Sequence, residues 1–411
     1  MLLLAVVLAF SVVMILAFNA CRYGYKALLS PFFWISILLF LYLLVPSLFS
    51  PDISYYFDWG LSESSIFYSL LICASVAVFF AVMTLFFKPD YILRRADIWR
   101  WEGCSVLVKV IWGIVFCYLA GVLLFKWSMT GLSMTGSYTG EESDVFKLKS
   151  VAYFLVPVSV LAFFDCGRLR YFSPNLIIIV LDLLSGGRTV AFIVLIPIVI
   201  SVCVYYKRLF VIPVFSVCAL LVFVGVVRSD NVVKGVPAYI DAIAEFRETF
   251  VTLPLFIERA DYVGRGDAYT LAALSVVGVL QPFRDKVLAT VVSPGYYIYE
   301  MVNRGYGLGA NIITDALYYG YLFVPLTLGV VFLFCLAAFF VLSKLRLPDL
   351  VVVVSFLVVF FRLVVREGFY FNFGLFVFIF LVYCFPVLLL NRVRFSFFGF
   401  SDKGSLDAKS S

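Results

Sequence analysis

Residues 228–315 read RSDNVVKGVPAYIDAIAEFRETFVTLPLFIERADYVGRGDAYTLAALSVVGVLQPFRDKVLATVVSPGYYIYEMVNRGYGLGANIITD, and their reading decides the fold. They form one long polar stretch in a chain that otherwise reads as apolar spans. A connection of this length is usually functional or disordered. Phe246, Phe250, Phe256, Tyr296, Tyr297 and Tyr299 all demand burial, which speaks against disorder. The expectation is a folded lid over a site at a membrane surface, framed by the rest of the chain.

Outward from this stretch, the composition is that of a polytopic membrane protein. Of 411 residues 64% are hydrophobic and 14% charged, and the mean hydropathy is +1.09. So little charge cannot cover a soluble domain of this size. The net charge of +6 is read as loop charge that orients helices, so no nucleic-acid partner is expected. The chain has no histidine, which removes His-based acid–base chemistry, His-ligated metals and a Ser-His-Asp triad. The nine cysteines lack metal-ligand spacing, and Cys73, Cys117, Cys203, Cys218, Cys335 and Cys384 fall in or beside spans. They are expected as free thiols packed like small hydrophobes.

Apolar runs and basic punctuation give about eleven transmembrane helices. Residues 1–18 lack a basic start and read as a retained helix. Arg22 and Lys26 place the following turn inside, and the N-terminus outside. Spans follow near residues 29–49 and 65–87, then a basic aromatic segment with Lys88, Arg94, Arg95 and Arg100 on the inner surface. The fourth span ends near Lys126, with Lys109 snorkelling from its inner turns. The fifth and the short sixth cover residues 151–164 and 172–184. A seventh returns to Lys207 and an eighth rises to Val227. The ninth, from residues 316 to 342, ends inside at Lys344 and Arg346, and two more bring the C-terminus inside. The domain plan is therefore a transmembrane bundle over 1–227, an outer loop over 228–315, spans nine to eleven over 316–394 and an inner tail over 395–411. Residues 271–280 read as a re-entrant or surface helix.

Arg188, Arg228, Arg362 and Arg366 break the orientation rule, because short outer connections normally avoid basic residues. Arg362 and Arg366 are four apart and share a helix face. Arginine grips phosphate bidentately and stays charged near lipid, which suggests a lipid-linked pyrophosphate as ligand. Ordinary pairing of Arg188 with Asp182, Arg366 with Glu367 and Arg228 with Asp230 is the competing account. Without histidine, a loop carboxylate is the natural base for a sugar hydroxyl, and Asp315, Glu248 and Glu245 rank first. Tyr296, Tyr297 and Tyr299, with Tyr306, Tyr318 and Tyr319, suit either sugar stacking or an interfacial aromatic belt. No Walker loop or dinucleotide fingerprint is present, so an enzyme here needs a substrate that is already activated.

Three motifs carry a family resemblance: LSGGRT at 184–189, Arg228 after the eighth span, and GYGLGANIITDALYYG at 305–320. With RLVVREG at 362–368, the chain resembles the Wzy-type polymerases of O-antigen and capsule repeat units. Where that family usually has Glu, Asp315 stands here. The resemblance implies a GT-C-like fold in a bacterial cytoplasmic (inner) membrane, with a large periplasmic loop. It implies a metal-independent inverting glycosyltransferase without cofactor. Its partners would be polyprenyl-pyrophosphate-linked glycan donor and acceptor, membrane lipid and a chain-length regulator protein. The related ligases use an outer-loop histidine, which this chain lacks. The alternative from another class is a multispan transporter or flippase of lipid-linked glycans, whose marks are mid-membrane charges and broken helices in paired repeats.

Overall fold

The computed structural model describes residues 2–47, 61–96, 105–130, 147–184, 189–208, 244–280 and 309–392, and every regular element among them is helical. Seven helices are long and apolar enough to cross a membrane, the pattern of a multi-pass membrane protein. They are Val6–Leu29, Glu63–Phe86, Val106–Ser128, Leu148–Cys166, Phe323–Leu342, Leu347–Glu367 and Tyr370–Asn391.

In chain order, α1 (Leu2–Tyr23) is followed by α2 (Pro31–Leu39), which Pro31 starts at a position where its missing N–H costs nothing. A π-helical segment (Phe40–Leu44) and a last turn (Val45–Ser47) extend α2. Helix α3 (Glu63–Phe86) is capped by Ser62, whose hydroxyl accepts from Ser65 N. Then come α4 (Asp90–Ala96), α5 (Val106–Thr130) and α6 (Leu148–Cys166). A hairpin follows, α7 (Ser173–Leu184) and α8 (Thr189–Tyr205). Asp182 closes it by accepting from Ala191 N at 2.8 Å. The expected eighth span, Arg188, Arg228, Tyr296, Tyr297, Tyr299 and Tyr306 lie outside the described residues.

The lid expectation meets two helices, α9 (Ala244–Glu258) and α10 (Ala268–Val277), both packed on the bundle. Helix α9 rests on α3 and on the π segment of α2. Helix α10 lies across the start of α14 and covers most of residues 271–280, expected as a re-entrant or surface helix. At that crossing Gly278 and Gly374 let backbone touch backbone, since a Cβ on Gly278 would meet the chain at Phe371–Leu375.

The last quarter holds one correction. The span expected from residue 316 is two helices, a short α11 (Ile312–Tyr319) and the spanning α12 (Phe323–Leu342). Gly320, at φ +122, separates them in a conformation that favours glycine. The proposed loop boundary at Asp315 therefore cuts α11 in half. Helix α13 (Leu347–Glu367) runs through the middle of the bundle, with nearly all of its residues buried. Helix α14 (Tyr370–Ile379) continues through a second π segment (Phe380–Cys384) into Phe385–Arg392.

Polar contacts sort the helix ends into two groups. Lys26 pairs with Asp90 at 2.7 Å, Lys109 with Asp165 at 2.6 Å, and Asn391 accepts from Ser105 N at 3.1 Å. Arg22, Lys88, Arg168, Arg170, Lys207, Lys344 and Arg346 belong to the same helix ends. Lys109, expected to snorkel from these inner turns, is half-exposed and ion-paired there. At the opposite end, Ser62 meets Glu258 at 2.6 Å and Arg362 meets Tyr42 at 3.0 Å. The described cysteines are free, with Cys73, Cys203, Cys335 and Cys384 buried and Cys21 and Cys117 exposed.

Candidate functional site

The less basic end carries two linked centres, one on the rim and one inside the bundle. On the rim, Asn311 starts α11. Its Oδ1 accepts from Ile313 N and Thr314 N, both at 3.0 Å. Its Nδ2 donates to Thr249 O at 2.8 Å and Thr252 Oγ1 at 2.9 Å, which bolts α11 to α9. Thr252 and Thr314 hydroxyls add a 3.2 Å contact. All four residues are buried. Asn311 lay within a quoted motif but received no role from the sequence. An Asn before an apolar helical run is a cap signal that would have marked it.

Four residues on, Asp315 Oδ2 accepts from Phe369 N at 2.9 Å. Phe369 is the N-cap of α14 and supplies no side-chain cap of its own. The Asp315 carboxylate therefore takes the place of a capping group at the positive end of α14. It reaches there because residue 368 is glycine. Gly368 has φ +94, and a Cβ on it would fall on the Asp315 carboxyl group. Burial pushes the Asp315 pKa up to about 7, while the N–H groups of Phe369 and Tyr370 pull it down. A carboxyl in that range can both take and give a proton near neutrality. Next to it, Asn372 donates to Gly368 O at 2.8 Å and satisfies a carbonyl at the end of α13.

The inner centre is Arg362, which the sequence had put at an outer helix end. The structure buries it to 3% exposure, more than one turn inside α13. Its Nε donates to the Tyr42 hydroxyl, which the π segment of α2 brings in, and its Cζ sits 5.1 Å from the Phe192 ring of α8. A buried arginine held by a hydroxyl and an aromatic face keeps its charge and its orientation. Arg366, one turn further out, is half-buried and pairs with Glu367 at 3.0 Å. The two share a helix but not an environment, and the ordinary pairing of Arg366 is present.

Glu245 and Glu248 lie in the first turns of α9, and their side chains lie outside the described set. Asp182, the candidate partner of Arg188, spends one oxygen on the α8 backbone. Tyr318 and Tyr319 are buried at 3% and 6%, edge to face with each other and close to Gly266. In this arrangement they pack the core and present no open face to a sugar. Among the described residues no cluster of three His, Cys, Asp or Glu side chains could hold a metal ion.

Fold and site together define a class: a multi-pass helical membrane protein with an arginine buried in its central helix and a capping carboxylate at its rim. No family model matches the chain, and neither a curated protein nor a solved structure does.

Proposed function

We propose that the protein is a glycosyltransferase of the outer face of a bacterial cytoplasmic membrane. It joins polyprenyl-pyrophosphate-linked oligosaccharide repeat units into a surface polysaccharide such as O-antigen, with inversion. The observation that carries this reading is Arg362, a fixed and buried cation in the central helix α13, at the less basic end of the bundle. Intramembrane charges of this kind are functional by default. In the transfer, the acceptor hydroxyl attacks the anomeric carbon, and the carbon–oxygen bond to the pyrophosphate breaks with its electrons. Negative charge grows on the departing oxygen, and a preorganised guanidinium in a dry setting stabilises it. A carboxylate takes the hydroxyl proton. Asp315 has the suitable pKa, and Glu245 and Glu248 are its rivals. Arg188, Arg228 and Arg366 are the further pyrophosphate ligands in this reading, and Tyr296, Tyr297 and Tyr299 the sugar platform. The N-terminus lies outside and the C-terminus inside, in keeping with the basic helix ends. The GT-C-like architecture and a chain-length regulator as partner belong to the same proposal.

Glycan ladders on gels, scored beside an immunoblot, test it. Arg362→Ala is expected to lower polymerisation about a hundred- to a thousandfold, as loss of a charge-stabilising donor does, at normal protein level. Arg362→Lys keeps charge but loses the planar fork, and most activity should go with it. Near-normal ladders from both variants would make Arg362 structural and end the pyrophosphate assignment. Normal ladders from all of Asp315→Asn, Glu245→Gln and Glu248→Gln would remove the three candidate bases.

The second reading, a flippase of lipid-linked glycans, draws on the π segments in α2 and α14, since irregular helices mark transport pathways. A deletion strain separates the two. A polymerase defect leaves single repeat units on the cell surface, and a flippase defect leaves them facing the cytoplasm.

A further inference from the structure

Tyr153, in the second turn of α6, is 4% exposed, and its hydroxyl has no hydrogen-bond partner among the described residues. Its ring is fixed between Phe356 of α13, at 6.4 Å, and Tyr383 of the α14 π segment, at 6.0 Å. A phenylalanine would make the same ring contacts without burying an unmet donor, which is costly. Tyr153 also lies within electrostatic range of the Arg362 guanidinium and the Glu367 carboxylate. Two tyrosines around this centre, Tyr42 and Tyr383, come from π segments, where the extra residue in the turn re-aims side chains. Tyr42 fixes the guanidinium through Nε, so it positions the charge. Tyr153 has a hydroxyl hydrogen with no acceptor among those residues.

We propose that the Tyr153 hydroxyl is a binding donor that, beside Arg362, grips a phosphate oxygen of a polyprenyl pyrophosphate. The inference rests on the assignment of Arg362 to pyrophosphate made above. A hydrogen bond from a neutral hydroxyl to a charged oxygen is among the stronger kinds, and a neighbouring guanidinium strengthens it further. No covalent step is involved. The phenol remains protonated and supplies affinity and orientation.

The test uses the full-length protein in lipid nanodiscs, with farnesyl pyrophosphate as probe. Affinity and unliganded Tm are read for wild type, Tyr153→Phe and Arg362→Ala. Tyr153→Phe is expected to weaken binding about ten- to a hundredfold, as loss of a hydrogen bond to a charged group does. Its unliganded Tm should equal or exceed that of wild type, because an unmet buried hydroxyl has been removed. Unchanged affinity in Tyr153→Phe, with binding lost in Arg362→Ala, overturns the role of Tyr153 and leaves the pyrophosphate assignment standing. A lowered unliganded Tm also overturns it, since the hydroxyl would then have a partner in the resting protein. If wild type fails to bind, or Arg362→Ala binds as wild type does, the assignment of Arg362 falls and the role of Tyr153 falls with it.

Discussion

Helices α12 and α13 are neighbours in the chain, similar in length and similarly apolar, yet they occupy opposite environments. Only 22% of the apolar stretch of α12 is buried within the protein, whereas that of α13 is enclosed almost throughout. Leu326, Leu333 and Val341 of α12 are more than half exposed, as side chains facing lipid tails would be. Helix α12 has no charged residue, whereas α13 carries Asp349, Arg362, Arg366 and Glu367. Hydropathy alone cannot separate a lipid-facing helix from a central one, because lipid and protein interior are equally dry. The charges can, since only protein or enclosed water solvates them at depth. The central helix is where chemistry can be housed, and its aromatic neighbours hold Arg362 in one geometry.

The sharpest way to break this comparison is to give α12 what α13 has. Leu333→Arg puts a guanidinium near the middle of the lipid-facing helix, where it should cost about 3 kcal/mol of insertion free energy. Membrane yield and Tm in nanodiscs read the effect, with a clear loss expected in both. Wild-type behaviour would mean that another protein surface, and not lipid, covers α12 at Leu333.

A second test sharpens the contrast at the rim. The Asp315 pKa is raised to about 7 from an ordinary aspartate value near 3.8. Between those values the folded protein keeps a proton that the unfolded chain has released. The stability that Asp315 contributes is thus full below about pH 4 and is lost as pH rises through about 7. Its slope is at most about 1.4 kcal/mol per pH unit. Asp315→Asn keeps an acceptor for Phe369 N but cannot ionise, so the decline of Tm from about pH 5 to 8 should flatten. An identical pH profile for wild type and variant would show that Asp315 is ionised throughout.

The frame was readable from sequence because it depends on local runs of apolar residues. The observed α3 and α7 fall within a few residues of their expected bounds, and the basic helix ends gather as the orientation rule requires. The site was readable only in part. Arg362 was picked out by its charge, but its depth was missed, because burial comes from Tyr42, 320 residues away, and Phe192. Asp315 was ranked as a base from its place in a motif. Its capping of α14 depends on Phe369, 54 residues on, and on the missing side chain of Gly368. The π segments have no period that hydrophobic patterning could reveal. The division of residues 312–342 into a short helix and a span follows from Gly320, which the apolar run on either side masked.

The smallest expected effect lies at the far edge of the comparison, where a polar contact meets solvent. Ser62 Oγ donates to Glu258 Oε2 at 2.6 Å, tying the end of α9 to the start of α3. Hydrogen bonds from Ser62 and Ser65 lower the Glu258 pKa, so the stability from this contact is present above the ordinary glutamate range and fades as pH falls below it. Glu258 is nearly fully exposed, and water competes for the same carboxylate. Glu258→Ala leaves Ser62 free to cap α3 and removes only the bridge. Its cost should be no more than about 1 kcal/mol, as for exposed polar pairs in general. Tm at neutral pH, compared with that of Leu333→Arg, measures the ratio. If Glu258→Ala costs as much as the charge that Leu333→Arg introduces into the lipid-facing α12, the start of α3 and the end of α9 are shielded from solvent. The rim would then belong to the same dry environment as the centre around Arg362.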